Sequence, residues 1–268
     1  MSAKHKQWET EYASVFQDES VVEAYHFRPQ YPTETFDFLM QLLEPIDRPW
    51  KILDAGCGTG YVARELAEKV DGIDAVDISE AMIRRGKVSP QGDSPKINWI
   101  CSSMEEAPLE GPYNLIIAAA SLHWMDWDVV LPRFASVLKN KGHLALVEDV
   151  TLPTPWETEA RPVFSRYSMN KDFTPYDMKT IAADLETKGL FGKKGCRETK
   201  PIEFRQSIDA FIESAHARNG FSRDRMDKIE AAEFDTKLKD VLSKHCPDGQ
   251  VAKQIKGRVI WGKPLKRA

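Results

Sequence analysis

The stretch KILDAGCGTG, residues 51–60, has the pattern of a buried strand that turns into a ligand-binding loop. Its apolar run ends at an acid, Asp54, and glycines follow at alternating positions, Gly56, Gly58 and Gly60. Glycine lets the backbone adopt positive φ angles and approach a ligand closely. The stretch therefore predicts a binding loop at the carboxyl end of a first strand, but its glycines alone do not identify the ligand.

Strand-like and helix-like segments alternate around this loop. Buried or alternating apolar runs predict seven strands, at residues 51–55, 72–77, 96–102, 113–120, 143–150, 196–206 and 257–263. Amphipathic periodicity predicts helices between them, at residues 61–69, 79–87 and 129–142, the last ending at Gly142. Such alternation predicts an α/β fold, with a doubly wound parallel sheet covered by helices on both faces.

The chain of 268 residues is expected to form one domain with insertions. Residues 1–48 predict an N-terminal helical cap and residues 49–150 the ligand-binding core. Residues 151–175 contain four prolines among aromatic residues, a composition that predicts a lid over a small pocket. Residues 176–268 are expected to supply the end of the sheet and a helical insertion.

Charge, hydropathy and cysteine content argue against several functions. The net charge is −4, from 37 basic and 41 acidic residues, which disfavours a nucleic-acid partner. The longest apolar run, residues 115–122, is too short to span a bilayer, and the N-terminus lacks the apolar core of a secretory signal. Four scattered cysteines predict neither a metal site nor disulfides. We expect a cytoplasmic protein with no membrane partner, and the oligomeric state is left open.

The glycine spacing separates two phosphate-binding loops from a third kind of site. The dinucleotide fingerprint G-x-G-x-x-G/A, counted from Gly56, requires glycine or alanine where Tyr61 stands. A second register, from Gly58 to Ala63, is formally permitted but starts too late in the turn. A P-loop requires Gly-Lys-Ser/Thr, and Gly60 is followed by Tyr-Val. An NAD-binding oxidoreductase is therefore a disfavoured alternative.

The sequence D-x-G-x-G-x-G after an apolar strand resembles the first motif of class I S-adenosylmethionine-dependent methyltransferases. The resemblance implies a Rossmann-like, seven-stranded, mostly parallel sheet with an antiparallel last strand. It also fits the chemistry of that cofactor, because Asp54 at the strand end suits an ammonium and a sulfonium better than a pyrophosphate. S-adenosyl-L-methionine is accordingly the expected cofactor, bound by backbone groups of the loop and a helix N-terminus.

The next strand ends are where the resemblance implies the rest of the cofactor site. Asp77, about twenty residues after the loop, is expected to bond the ribose hydroxyls, with Ile78 and Met82 beside the adenine; Met82 in plain core packing is an equal alternative. Ser103 stands where the family usually has an acid. The full cofactor-binding set expected from the resemblance is Tyr25, Arg28, Asp54, Ala55, Gly56, Cys57, Gly58, Gly60, Asp77, Ile78, Met82, Ser103, Met104, Glu105 and Ala119.

Two further motifs bear on the acceptor. YHFRPQYP at 25–32 and SLHWMDWD at 121–128 are similar to the small-molecule branch that includes trans-aconitate methyltransferase-like enzymes. The segment also lacks the N/D-P-P-aromatic and Pro-Cys motifs of enzymes that methylate nucleic-acid bases. The resemblance therefore implies a small-molecule substrate.

Oxygen, as a carboxylate or a hydroxyl, is the acceptor atom we expect, with nitrogen, sulfur and carbon as alternatives. Tyr31, His123 and Trp124 are the candidate substrate residues. His123 is either a general base or a structural histidine. A module that binds the cofactor without transferring its methyl group, pericyclase-like or regulatory, and a protein methyltransferase are further alternatives.

Overall fold

The structure, a computed structural model, describes residue 8 and residues 10–265. These residues form two compact units. Unit 1 consists of the described residues of Met1–Gln30, Val150–Thr174 and Pro201–Lys256, and unit 2 of those of Tyr31–Asp149, Pro175–Lys200 and Gly257–Ala268. The single domain expected from the sequence stays a prediction.

Eight strands and ten α-helices are present in the described part of the chain. The strands are β1 Lys51–Ala55, β2 Gly72–Asp77, β3 Ile97–Cys101, β4 Tyr113–Ala119, β5 Leu138–Thr151, β6 Phe191–Glu198, β7 Ile202–Ser207 and β8 Gln250–Pro264. The α-helices are α1 Thr10–Ala13, α2 Glu19–Ala24, α3 Thr33–Leu43, α4 Tyr61–Leu66, α5 Glu80–Lys87, α6 Trp127–Val137, α7 Glu157–Tyr167, α8 Met178–Thr187, α9 Ile208–His216 and α10 Lys228–His245.

The strand order is β3-β2-β1-β4-β5-β8-β6, and β7 pairs separately with β8. The pairs β1–β2, β1–β4, β2–β3 and β4–β5 are parallel, while β6 and β7 are each antiparallel to β8. This confirms the predicted doubly wound, mostly parallel sheet with antiparallel strands at the end of the chain. The order reverses between β1 and β4, so the crevice where such sheets bind ligands lies at the carboxyl end of β1.

Two predicted elements are wrong in their extent. The single strand expected at 196–206 is two strands, because the chain leaves β6 at Thr199 and Pro201, which has no N–H for a sheet ladder, precedes β7. Gly142 does not end a helix: α6 stops at Val137 and β5 already runs through this position. A Cβ at Gly142 would lie 2.7 Å from the carbonyl oxygen of Asn114, so the close approach of β5 to β4 requires glycine.

The core of unit 2 lies between the sheet and the helices α3 and α4. Ile52 and Leu53 of β1 are fully buried, and Leu39, Leu43 and Leu66 of the helices are too. Burying one such side chain stabilises the fold by about 1.5–3 kcal/mol. The buried sheet therefore holds the carboxyl end of β1 rigidly, and the glycine loop starts from it.

Unit 1 has its own core, formed by α7, α9 and α10. Trp156 at the start of α7 packs edge-on against Phe211, with ring centroids 5.0 Å apart, and Phe234 of α10 is fully buried. The predicted lid, residues 151–175, thus contains a helix whose apolar face belongs to this core, and a closing motion stays a prediction. α10 begins at Lys228, because Asp227 accepts bonds from the amides of Ile229 and Glu230. Every helix among the described residues is too short or too polar to cross a membrane.

Candidate functional site

The glycine loop joins β1 to α4 and depends on its glycines. Gly56, Gly58 and Gly60 have φ angles of +69°, +55° and +67°, values that side chains with a Cβ rarely adopt. A Cβ on Gly56 would also lie 2.6 Å from the Cβ of Ser121. The amides of Gly56 and Cys57 both donate to the carbonyl of Val76 at 2.9 Å, which holds the loop against the end of β2. The loop is therefore a narrow, fixed cradle, as expected for close backbone contact with a ligand.

Asp77 ends β2 beside this loop. One carboxylate oxygen accepts a bond from the Gly58 amide at 2.7 Å and the other from the Ser79 amide at 2.8 Å. Burial raises the pKa of Asp77 from its ordinary value, and the backbone hydrogen bonds act against that rise. Ser79, whose hydroxyl accepts a bond from the Met82 amide at 3.2 Å, is the N-cap of α5. Asp77 is thus not needed as a helix cap and is directed at the glycine loop.

Asp54 lies beneath the loop and is 1% exposed. One oxygen accepts a bond from the Ala63 amide at 3.1 Å, and the other has no partner among the residues that the structure describes. Burial raises the pKa of Asp54 to about 7, despite the bond from Ala63. Near neutral pH this carboxyl can therefore carry a proton or a negative charge, and its expected contact with a cationic ligand stays a prediction.

Other residues of the predicted loop serve the turn itself. Ala55 is fully buried, and its carbonyl accepts a bond from the Ser121 hydroxyl at 2.5 Å. Cys57 is half-buried, and burial together with the charges of Asp77 and Asp54 raises the pKa of its thiol well above the usual range. A thiol that stays protonated is a poor nucleophile, so Cys57 contributes shape rather than reactivity.

The two residues expected beside the adenine differ in accessibility. Ile78 is 57% exposed, as a hydrophobic surface for a planar ring requires, whereas Met82 is 1% exposed. Met82 is therefore packed in the core, and its expected contact with the adenine stays a prediction. Periodicity places both residues near the end of β2 but cannot show which of them faces outward.

The segment after β3 is mostly occupied by local contacts. The Ser103 carbonyl accepts bonds from the amides of Glu106 and Ala107, and the Ser103 residue is half-buried. Met104 is 4% exposed and its carbonyl accepts a bond from Arg133. Glu105 accepts a bond from the Asp126 amide at 2.7 Å, which supports the start of α6. The cofactor contacts expected of Ser103, Met104 and Glu105 stay predictions.

His123 lies in a 3₁₀ turn, Leu122–Trp124, that follows Ala119 at the end of β4. Ala119 is half-buried, and His123 is 3% exposed. The Nε2 atom of His123 is 2.8 Å from the hydroxyl oxygen of Tyr176, and the two ring centroids are 4.9 Å apart. Trp124 is half-buried with its ring centroid 4.7 Å from that of His123. The turn therefore brings the predicted candidates His123 and Trp124 together with a third aromatic residue.

The N-terminal motif is divided between the units. In unit 1, Arg28 lies over the ring of Tyr25, 5.1 Å from its centroid, and donates to its hydroxyl at 3.4 Å. In unit 2, Tyr31 stacks on Tyr61 with ring centroids 6.2 Å apart, directly after the glycine loop. The role expected of Tyr31 at the substrate site stays a prediction. The contacts expected of Tyr25 and Arg28 with a cofactor stay predictions.

Sequence reasoning missed three residues of this region. In the sequence Tyr61 is only a departure from a dinucleotide pattern, but in the structure it stacks with Tyr31 directly after the loop, and burial raises its pKa to about 12. Ser121 bonds Ala55 across the crevice, and Tyr176 contacts His123 from 53 residues along the chain. Local patterns carry no signal for Tyr176. Among the described residues, no cluster of three or more His, Cys, Asp or Glu side chains could hold a metal ion.

Residues 52–142, about a third of the chain, match the family model described as a methyltransferase domain. Together with the doubly wound sheet and the glycine loop at its switch point, this match confirms the class recognised from the sequence. The chain carries a class I, S-adenosylmethionine-dependent methyltransferase domain.

Relatives of known name match the same part of the chain. A malonyl-(acyl-carrier protein) O-methyltransferase of Ilyobacter polytropus is 36% identical over 151 residues, which are 51% of this chain and 56% of that protein. A second, from Anoxybacillus flavithermus, is 42% identical over 79 residues, or 29% of this chain and 30% of the relative. An uncharacterized methyltransferase of Mycobacterium tuberculosis is 31% identical over 121 residues, 45% and 46% of the two chains. The matches thus span from about a third to just over half the length of these relatives.

Solved structures agree on the fold over a longer stretch. A protein from Anaeromyxobacter dehalogenans, solved as a candidate type II methyltransferase, covers 90% of this chain and 99% of its own, at 23% identity and a TM-score of 0.61. The YcgJ protein of Bacillus subtilis covers 88% and 100%, at 15% identity and a TM-score of 0.54. At these identities the likeness concerns the fold alone.

Proposed function

We propose that this protein transfers a methyl group from S-adenosylmethionine to an oxygen atom of a small-molecule acceptor. The observation that carries the proposal is the carboxylate of Asp77, fixed by the Gly58 amide at the carboxyl end of β2 within the matched methyltransferase domain. A carboxylate at this strand end suits the hydroxyls of a ribose, and the adjoining loop has no Lys or Arg to balance a pyrophosphate.

The residues of the site fit the cofactor. The loop 56–60 has the positive φ angles that close backbone contact with a methionine moiety requires, and an added Cβ at Gly56 would clash with Ser121. Asp77 would accept bonds from the ribose, and exposed Ile78 would cover one face of the adenine. Asp54, when ionised, would place negative charge below a cationic ligand. When bound, S-adenosylmethionine supplies a methyl group on a positively charged sulfur.

The chain's own contribution to the reaction is alignment of the acceptor. Methyl transfer is an in-line displacement, so a site that fixes the acceptor oxygen close to the methyl group lowers the barrier by several kcal/mol. The aromatic faces of Tyr31 and Trp124 suit a cationic centre. Both side chains are half-buried in unit 2, near the glycine loop and after β4 respectively.

Oxygen is favoured as the acceptor atom by the relatives named above as malonyl-(acyl-carrier protein) O-methyltransferases. A free carboxylate such as that of a malonyl group is ionised at neutral pH and needs no base. We therefore place carboxylates first and hydroxyls second among acceptors. A cytoplasmic location and the absence of a nucleic-acid partner belong to the same proposal.

Calorimetric titration of the full chain with S-adenosylmethionine and with NAD tests the cofactor. We expect binding of the first only. Asp77→Ala should weaken it roughly 10- to 150-fold, because hydrogen bonds to a charged group contribute about 1.5–3 kcal/mol. Asp71→Ala is the matched control, since that exposed carboxylate stands just before the opposite end of β2 and pairs with Arg48. No binding at millimolar S-adenosylmethionine would end the proposal.

Release of S-adenosylhomocysteine tests the reaction. The protein is incubated with S-adenosylmethionine and a panel of carboxylic acids and hydroxyl compounds, including trans-aconitate and a malonyl thioester of an acyl-carrier protein. Product formation with a panel member, lost in Asp77→Ala and kept in Asp71→Ala, supports methyl transfer. Tight cofactor binding without turnover on a broad metabolite extract would favour a non-methylating module instead.

A further inference from the structure

His123 is covered by Tyr176. The imidazole is 3% exposed, and its Nε2 atom is 2.8 Å from the Tyr176 hydroxyl oxygen. Tyr176 itself is half-exposed. A general base has to come within hydrogen-bond reach of the proton it takes, directly or through one intermediary. Of the two side chains, Tyr176 is therefore the accessible one, and the imidazole of His123 is buried against it.

The turn that carries His123 is firmly held. The Ser121 hydroxyl donates to the carbonyl of Ala55 at 2.5 Å, which ties the turn to the end of β1. The indole N–H of Trp127 donates to the carbonyl of Leu122 at 2.9 Å, and the Trp124 amide closes the turn on the Ser121 carbonyl at 3.0 Å. His123 can therefore act as a fixed support for the residue it contacts.

An ion-pair cluster around the buried Arg258 holds Tyr176 from its other side. Asp177, the next residue, caps α8 by accepting a bond from the Thr180 amide at 2.9 Å, and its second oxygen is 3.2 Å from Arg258. Arg258 is 7% exposed and also bonds Glu148, at 2.5 Å, and Glu198, at 2.8 Å. A second oxygen of Glu148 accepts a bond from the amide that follows Asp177, at 3.1 Å. The backbone on the C-terminal side of Tyr176 is thus fixed to three strands.

We propose that Tyr176 is the group that touches the acceptor, that His123 acts on the acceptor only through it, and that Arg258 is a positioning residue for Tyr176. The proposal rests on the proposed methyl transfer for its chemistry, but its geometry can be tested without it. A phenol hydroxyl has one proton and two lone pairs, so either Tyr176 or His123 can be the donor in the hydrogen bond between them.

With a carboxylate acceptor, His123 Nε2–H donates to the Tyr176 oxygen and the Tyr176 O–H donates to one carboxylate oxygen. The other oxygen receives the methyl group, the sulfonium becomes a thioether, and no proton leaves. With a hydroxyl acceptor, the acceptor proton passes to the Tyr176 oxygen as the Tyr176 proton passes to His123 Nε2. The products are then the methyl ether, the thioether and a protonated imidazole.

Acylation by diethyl pyrocarbonate, located by mass spectrometry on the full chain, tests the shielding. Exposed His26 is the reactive control, and His216, 1% exposed with both ring nitrogens bonded, is the protected one. Buried groups react only through local opening, so we expect His123 to react roughly tenfold or more slowly than His26. Tyr176→Ala should bring His123 close to the rate of His26, and Tyr176→Phe should leave it slow. Rapid modification of His123 in the unaltered protein would overturn the proposal.

Asp177→Asn tests the positioning role because it keeps a capping oxygen but weakens the link to Arg258. We expect His123 to become roughly several-fold more reactive, since Tyr176 would leave it more often. Asp227→Asn is the matched control: it alters the cap of α10 in unit 1, where Asp227 bonds two backbone amides. Equal effects of the two variants on His123 would refute the role of Arg258.

Kinetics test the chemistry once an acceptor is known. With a hydroxyl acceptor, Tyr176→Phe and His123→Asn should each lower kcat roughly 100-fold or more, with the affinity for S-adenosylmethionine unchanged. The double variant should be no slower than the worse single one, because two residues that act as one unit lose their effect together. Multiplying effects would contradict the proposal. If the protein bound no S-adenosylmethionine, the proposed function would fail while the shielding result still decided the geometry.

Discussion

Replacing Gly56 by alanine tests two reasons why the glycine loop requires glycine: the positive φ angle and the lack of space for a Cβ atom. Gly56 has a φ of +69°, and an added Cβ would lie 2.6 Å from the Cβ of Ser121. Gly189, also in unit 2, has nearly the same φ, +68°, but an added Cβ there would meet nothing within 4 Å. Gly189→Ala is thus a control for the backbone conformation alone.

The expected costs follow from these two geometries. A residue with a Cβ in the left-handed region costs about 1–2 kcal/mol, which is the whole effect at Gly189. At Gly56 the overlap with Ser121 adds about 1–3 kcal/mol of overpacking. We therefore expect Gly56→Ala to lower the free energy of unfolding by about 2–5 kcal/mol and Gly189→Ala by about 1–2 kcal/mol.

Urea unfolding followed by tryptophan fluorescence suits this comparison, because five of the seven tryptophans lie in unit 2. Calorimetry with S-adenosylmethionine provides the second readout. Gly56→Ala should weaken binding by displacing Ser121 and the loop, and Gly189→Ala should leave it unchanged. Equal destabilisation by the two substitutions, with equal cofactor affinity, would refute the argument that Ser121 leaves no space for a Cβ atom at Gly56.

Three further outcomes are expected. Asp54 keeps its proton to about pH 7 in the folded state but loses it near pH 4 when unfolded. Its contribution to the free energy of unfolding should therefore fall by about 4 kcal/mol between these pH values and stay constant above pH 7. Urea unfolding from pH 5 to 8 should show this slope, and a slope that survives in Asp54→Asn would contradict the assignment to Asp54. Arg258→Gln should cost at most about 3–5 kcal/mol in thermal unfolding, because Arg258 is buried but, of its carboxylate partners, only Glu148 is largely shielded from solvent. Arg48→Gln at an exposed pair should cost about 1 kcal/mol or less, and similar losses from the two substitutions would be evidence against the cluster. S-adenosylhomocysteine should slow iodoacetamide labelling of Cys101, which is exposed beside the carboxyl end of β2. Labelling of Cys246 in unit 1 should be unaffected. Unchanged labelling of Cys101 at saturating S-adenosylhomocysteine would argue against a nucleoside at this end of β2.

Local pattern was sufficient for the parallel part of the sheet. Buried apolar runs such as KILDA identify strands because a strand covered on both faces has no polar side, and the positive φ of Gly56 follows from residue type. The divided strand at 196–206 was not apparent, because apolar alternation continues across Thr199 and Pro201 although the pairing with β8 is interrupted between Glu198 and Ile202.

Sequence patterns could not predict the direction of individual side chains or contacts between distant parts of the chain. Ile78 and Met82 both follow β2, yet one is exposed and the other buried, since only the packing of α5 decides which faces the core. Tyr176 reaches His123 across 53 residues, through a helix start fixed by Arg258 on β8. No periodicity in the sequence records such a meeting, because each partner belongs to a different element.

The two hydrogen bonds from backbone amides to Asp77 also affect how strongly the site discriminates between nucleosides. The carboxylate is already held by the amides of Gly58 and Ser79 before any ligand arrives. A site discriminates strongly against an analogue that lacks a hydroxyl when the loss leaves a buried group bare. Here the missing hydroxyl would leave a carboxylate that still has its two backbone donors. A cofactor analogue without one ribose hydroxyl should therefore lose no more affinity than Asp77→Ala does, roughly 10- to 150-fold, and the site should discriminate only moderately against it.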